Sequence, residues 1–253
     1  SGMKIAYVVP GPMDQKEVAR RGAILKGWAA PDVDVDIRRV EEGPASIESM
    51  YEEYLSIPAA AEAVFQLEQE GYDAAILGCA GDPGLDAMRE ITGKMLVVGP
   101  GQTSYQTAAM LCHRFSVLTI AESMIDTSVD LGYKAGVLAK LASVRSVEVP
   151  VLELATDRAA TMKRIIAEGQ AAMREDRAQA LVLGCMSMGF LQVAEEVQEA
   201  LGIPVINPSR VALAMAESLV RSGLSHSKTA FALPPKLATG KVKSLHELSV
   251  VGD

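Results

Sequence analysis

Two short stretches of this 253-residue chain repeat one another, and that repeat limits the fold more than any other feature. Residues 74–79 read AAILGC and residues 180–185 read ALVLGC. Each is an apolar run that stops at a Gly-Cys pair and is followed by small, flexible residues and then a helical pattern. Three further echoes keep the same order. Residues 4–13 (KIAYVVPGPM) parallel 115–124 (FSVLTIAESM), VDVDI at 33–37 parallels VEVPV at 147–151, and VVGP at 97–100 parallels VINP at 205–208. Four elements echoing in order, at a narrow and drifting separation, are what a duplicated unit with loop insertions produces.

Each unit holds short β-rich runs separated by longer helical patterns. The strands are expected at 4–9, 33–37, 74–77, 95–98, 115–120, 147–152, 180–183 and 204–206, with helical periodicity at 58–70, 105–112, 156–174 and 211–222. Such alternation implies parallel sheets covered by helices. The fold class expected is therefore α/β, with two similar doubly wound parallel-sheet lobes and the site in the cleft between them. Residues 3–100 plus 209–253 form the first lobe, and residues 101–208 form the second. The apolar stretch 229–233 is expected to pack back on the first lobe, and Gly99–Gly101 reads as a turn. Aromatics are only 4% of the chain, so Ala, Val, Leu, Ile and Met must build both cores.

The net charge of −8 argues against nucleic acid or an anionic membrane as partner. No apolar run approaches the roughly 20 residues that span a bilayer. Three cysteines without a close pair make no disulfide framework, which fits a reducing cytoplasm. The partner expected is a small-molecule substrate.

A residue at the C-terminal end of a parallel strand stands where open α/β sheets bind ligands. Cys79 and Cys185 both do, in matched units, so they can face each other across one cleft. After Cys79, Asp82-Pro83-Gly84 reads as a helix start with Asp82 as N-cap. The amides of Ala80, Gly81 and Asp82 would then point at a ligand, and the helix end would lower the thiol pKa. Met186, Ser187 and Met188 follow Cys185 in the same way. Cys112 has no counterpart and reads as core. His113, His226 and His246 are scattered, no spacing suits a metal, and there is neither a GxGxxG nor a P-loop. Glu52-Glu53 and Glu195-Glu196 read as solvated helix faces.

The motifs GPASIES at 43–49, GCAGDPGL at 78–85, RFSVLT at 114–119, LVLGCMSM at 181–188 and PVIN at 204–207 carry a resemblance. The chain resembles the aspartate/glutamate/hydantoin racemase superfamily, most closely its hydantoin and allantoin racemase branch. The resemblance implies two pseudosymmetric α/β lobes around a cofactor-free site, and a homo-oligomer is expected. It implies that one of Cys79 and Cys185 removes a proton from the substrate carbon while the other returns one to the opposite face. Pro10 and Gly11 occupy the turn where that family holds the substrate, but as Pro10-Gly11-Pro12-Met13 in place of its Asn-Pro-Asn-Thr type. The expected substrate-binding set is Pro10, Gly11, Ala80, Gly81, Asp82, Met186, Ser187 and Met188. The expected activity is racemisation of a hydantoin-like or allantoin-like molecule. The alternatives are an amino-acid racemase, a cis-trans isomerase or decarboxylase of the same superfamily, and a two-lobed binding protein without turnover.

Overall fold

The computed structural model describes residues 2–250 and 252; Val251 and Asp253, at the end of the expected first lobe, lie outside the described residues. Two four-stranded, wholly parallel sheets make the molecule. The first contains β1 (Met3–Val9), β2 (Val33–Arg39), β3 (Ala74–Leu77) and β4 (Leu96–Val98), in the order β2-β1-β3-β4. The second contains β5 (Phe115–Thr119), β6 (Leu141–Ser146), β7 (Ala180–Leu183) and β8 (Val205–Ile206), in the order β6-β5-β7-β8. The two orders are the same, as the duplication requires. The central strands β3 and β7 read as continuous apolar runs because helices cover both faces.

The α-helices longer than four residues are α1 (Gln15–Trp28), α2 (Met50–Gln69), α3 (Leu85–Ile91), α4 (Pro100–Leu111), α5 (Ile125–Lys134), α6 (Arg158–Asp176), α7 (Met186–Phe190), α8 (Ala194–Leu201) and α9 (Pro208–Arg221). Two of them tie the sheets together. α4 leaves the first sheet through β4 yet packs on β7 of the second, and α9 leaves the second sheet through β8 yet packs on β3 and β4 of the first. The two helices also pack on each other. Tyr7 of β1 meets Phe190 of α7 edge-on, with ring centroids 5.4 Å apart, so the two halves share a buried aromatic contact.

Several expected boundaries move. The sixth strand is residues 141–146 and not 147–152. Pro150 lacks an N–H and Glu148 has φ +53°, so the VEVPV segment cannot continue a ladder beyond Val147 and Val149. Its alternation masked the true edge strand, LASVRS, whose side chains are all half-buried. Gly99–Gly101 is not a turn. Gly99 is the N-cap of α4, and Pro100 takes the first helical position, where a missing N–H costs nothing. α2 begins at Met50, eight residues before the expected 58, and runs through Pro58. Ser49 caps it by accepting from the Glu52 N–H at 3.2 Å, and Glu52 reaches back to Ser49 Oγ at 2.8 Å. The 229–233 stretch forms neither strand nor helix. Its neighbourhood is pinned to the first sheet's side by Lys228, whose Nζ donates to the carbonyls of Arg89, Glu90 and Thr92.

Candidate active site

The C-terminal ends of β1, β3, β5 and β7 open onto one cavity of about 120 Å³. Cys79 and Cys185 both line it. Gly78 and Gly184 bring the chain there: a Cβ at Gly78 would collide with the Val8 carbonyl oxygen, and one at Gly184 would sit 2.8 Å from that of Leu118. Only glycine lets β3 and β7 end that close to β1 and β5, and each cysteine follows directly.

Of the other expected residues, Pro10, Gly11, Ala80, Gly81, Met186 and Ser187 line the same cavity. Asp82 and Met188 do not. Met188 is fully buried in the core of the second lobe. Asp82 does not cap its own helix either, because Gly84, in the left-handed region, is the N-cap of α3. The Asp82 carboxylate accepts from the N–H groups of Gly101 and Gln102, each at 2.7 Å, and so caps α4 instead. The Asp82 amide is also spent in a turn on the Cys79 carbonyl at 3.1 Å, so it does not point at a ligand.

The thiols differ from expectation in their electrostatics. Burial pushes the pKa of both above the ordinary thiol value and outweighs the backbone amides that oppose it. The opposition is unequal. Beside Cys185 stand the Met188 and Ser187 amides, the Arg21 cation and the Ser187 hydroxyl, all of which lower its pKa. Beside Cys79 stands the Gly81 amide alone, while Glu53, Cys185 and Asp82 raise its pKa further. Arg21 is held for this by three contacts. Its Nε donates to Glu17 at 2.8 Å, its Nη2 to Ser187 Oγ at 3.0 Å, and its guanidinium lies over the Phe190 ring, 4.7 Å from the centroid. Cys112 is half-buried at the end of α4, where its thiol donates to the Ala108 carbonyl at 3.2 Å, far from this chemistry in role.

Besides Arg21, three cavity residues stand out that the sequence does not place in the site. Tyr7 is buried, and its hydroxyl has no hydrogen-bond partner. Burial raises its pKa, with the nearby Arg21 pulling the other way. Ser46 brings the GPASIES segment into the site, and Glu48 of that segment binds the second lobe by accepting from the Val151 N–H at 3.0 Å. Glu53 also lines the cavity, and one of its oxygens has no partner. The reading of Glu53 as a solvated helix face is therefore wrong, since the residue is only 6% exposed. Among the described residues, no cluster of His, Cys, Asp or Glu could hold a metal, and no helix is long and apolar enough to cross a membrane.

Two like lobes closing on a single cavity, with a thiol from each at matched strand ends, define the Asp/Glu racemase-like class of α/β protein. The sequence agrees with that class. The model of the family described as Asp/Glu/Hydantoin racemase matches residues 21–216. A hydantoin racemase of Pseudomonas sp. (strain NS671) is 38% identical over 203 residues, 80% of each chain. A hydantoin racemase of Rhizobium meliloti is 37% identical over 185 residues, 73% of this chain and 76% of its own. An allantoin racemase from Klebsiella pneumoniae superposes with a TM-score of 0.84 at 28% identity, over 92% of this chain and 94% of its own. The chain belongs to the Asp/Glu/hydantoin racemase family and is an isomerase of the racemase type.

Proposed function

We propose that this enzyme racemises a small hydantoin-like or allantoin-like substrate, with Cys79 and Cys185 as the opposed acid and base. The observation that carries the reading is the presence of both thiols, from equivalent strand ends, in one cavity. The named substrates of its relatives support the ring class. One thiolate takes the proton from the carbon beside the ring carbonyl and leaves an enolate. The other thiol then gives its proton to the opposite face. The net change in the enzyme is that thiol and thiolate have traded places, and no cofactor is consumed. Arg21 and two amides make Cys185 the easier thiol to ionise, so Cys185 is the base and Cys79 the acid in the resting enzyme.

The same reading places the enzyme in the cytoplasm as a homo-oligomer. An exposed apolar face on α2, with Tyr51 72% and Tyr54 66% exposed, supports the latter. Sedimentation velocity tests it, and a monomer at micromolar concentration contradicts it.

Deuterium exchange tests the chemistry. In deuterated water the wild type is expected to exchange the α-hydrogen of both enantiomers. Cys79→Ser and Cys185→Ser should each lose racemisation by about 10²–10⁴-fold, the usual worth of a positioned acid or base. Each variant should still exchange one hand, and the two should differ in which. NMR loss of the α-proton signal from each pure enantiomer reads this. Exchange of the same hand by both variants, or racemisation near the wild-type rate by either, overturns the pairing.

A further inference from the structure

Glu53 is the least expected group in the cavity. It sits on the inward stripe of α2 with Ser56, Ala60, Ala63 and Leu67, and only 6% of its surface reaches solvent. Its Oε1 has no hydrogen-bond partner. A buried carboxyl oxygen without a partner costs free energy that folding alone would have removed. The place it faces is defined by Gly81. A Cβ at Gly81 would collide with Glu53 Oε1 and would lie 3.8 Å from Cys79 Sγ. The open oxygen is therefore a near neighbour of the Cys79 thiol, on the wall of the cavity both line.

We infer that Glu53 is a specificity-determining residue, whose unpartnered carboxyl oxygen binds the cis-amide edge of the substrate ring beside Cys79. A carboxylic acid presents an O–H donor next to a C=O acceptor, and a ring amide presents a C=O acceptor next to an N–H donor. The two pair edge to edge, with two hydrogen bonds. The open-chain carboxylates of amino acids have no such edge and meet an acceptor-rich group instead. The inference rests on the hydantoin-like reading above and deepens it, favouring ring substrates over amino acids.

The surroundings favour the protonated form of Glu53. Burial raises its pKa, and Lys134 at the exposed end of α5 only partly opposes this. The other titratable groups around the cavity are Tyr7, Cys79, Tyr105 and Cys185, with Asp82 on the loop after β3, and the cation of the lining, Arg21, stands beside Cys185.

The test compares the wild type, Glu53→Gln and Glu53→Leu on a 5-alkylhydantoin, followed by polarimetry, with thermal melts to confirm folding. Glutamine keeps a donor beside an acceptor, so its KM should stay within about threefold of wild type. Leucine keeps the burial and loses both contacts, so KM should rise about tenfold or more with a smaller change in kcat. The pH profile separates binding from mere packing. Wild-type kcat/KM should climb with pH as the reacting thiolate forms, with a bend where Glu53 ionises. The bend should be absent in Glu53→Gln. Equal losses in Gln and Leu, or the same bend in wild type and Gln, overturn the role of Glu53 while leaving a working hydantoin racemase. A wild type inactive on every 5-substituted hydantoin and on allantoin overturns the substrate reading, and the inference falls with it.

Discussion

The loops after β3 and β7 share a backbone plan and differ in everything that sets charge. Both follow a glycine that abuts the neighbouring strand, and both deliver a cysteine to one cavity. The Cys185 loop lies against a guanidinium and a hydroxyl, whereas the Cys79 loop lies against two carboxyls. Duplication supplies the two-fold arrangement that the proposed two-faced proton transfer would need. Divergence of the neighbours supplies the inequality of the two thiols. A perfectly symmetric pair would have no preferred base, whereas in the proposed mechanism the unequal neighbours make one thiol the easier to ionise.

The sharpest way to break this comparison, after removal of the thiols themselves, is to remove the cation. Arg21→Met should lower kcat/KM about tenfold or more at neutral pH, because each unit by which the thiol pKa rises costs about 1.4 kcal/mol of the ionised form. Activity should return as pH is raised, since the lost thiolate is regained by titration. A loss that is flat with pH would mean that Arg21 only packs on Phe190. A smaller effect is expected from alkylation. Iodoacetamide at a pH near 8 should modify Cys185 before Cys79, because it is the thiolate that reacts. Peptide mapping at partial inactivation reads the order, and Cys79 modified first would reverse the assignment of base and acid.

The parts of this molecule that were legible in the sequence are those whose signal is local. β3 and β7 are contiguous apolar runs, so the sequence places residues 74–77 and 180–183 at the bounds observed. Cys79 and Cys185 followed from their position after those runs. Glu53 reads as a solvated helix face while the helical pattern is taken to start at Pro58. Begun at Met50, the same helix places Glu53 in register with Ser56, Ala60 and Ala63, and the stripe would have flagged a carboxyl among small residues. The thiol pKa direction is hidden from the sequence for a different reason. A helix end lowers it, while burial, which only the assembled lobes create, raises it by more. Tyr7 carried no sequence signal that separates a cavity wall from a core aromatic.

The smallest expected effect concerns how the two crossing helices begin, and it too sets one half against the other. In the second half Asn207 is the N-cap of α9; its Oδ1 accepts from Ser209 N–H at 3.1 Å and its Nδ2 donates to the Gly189 carbonyl at 3.0 Å. At the matching place in the first half stands Gly99, which has no side chain to offer, and Asp82 supplies the cap for α4 from the Cys79 loop. Alanine at either Asp82 or Asn207 should cost about 1–2 kcal/mol of stability, the ordinary worth of a cap. Only the first cap titrates. Burial pushes the Asp82 pKa up to about 7 against the two amides that hold its carboxylate. A folded-state pKa above the unfolded one means that stability is fully present below the ordinary carboxylate range and is lost as pH rises toward about 7. Melting temperatures measured between about pH 5 and 8 should therefore fall more steeply in the wild type and in Asn207→Ala than in Asp82→Ala. Parallel slopes in all three would show that the amides, and not burial, govern Asp82, and that the two caps are equivalent after all.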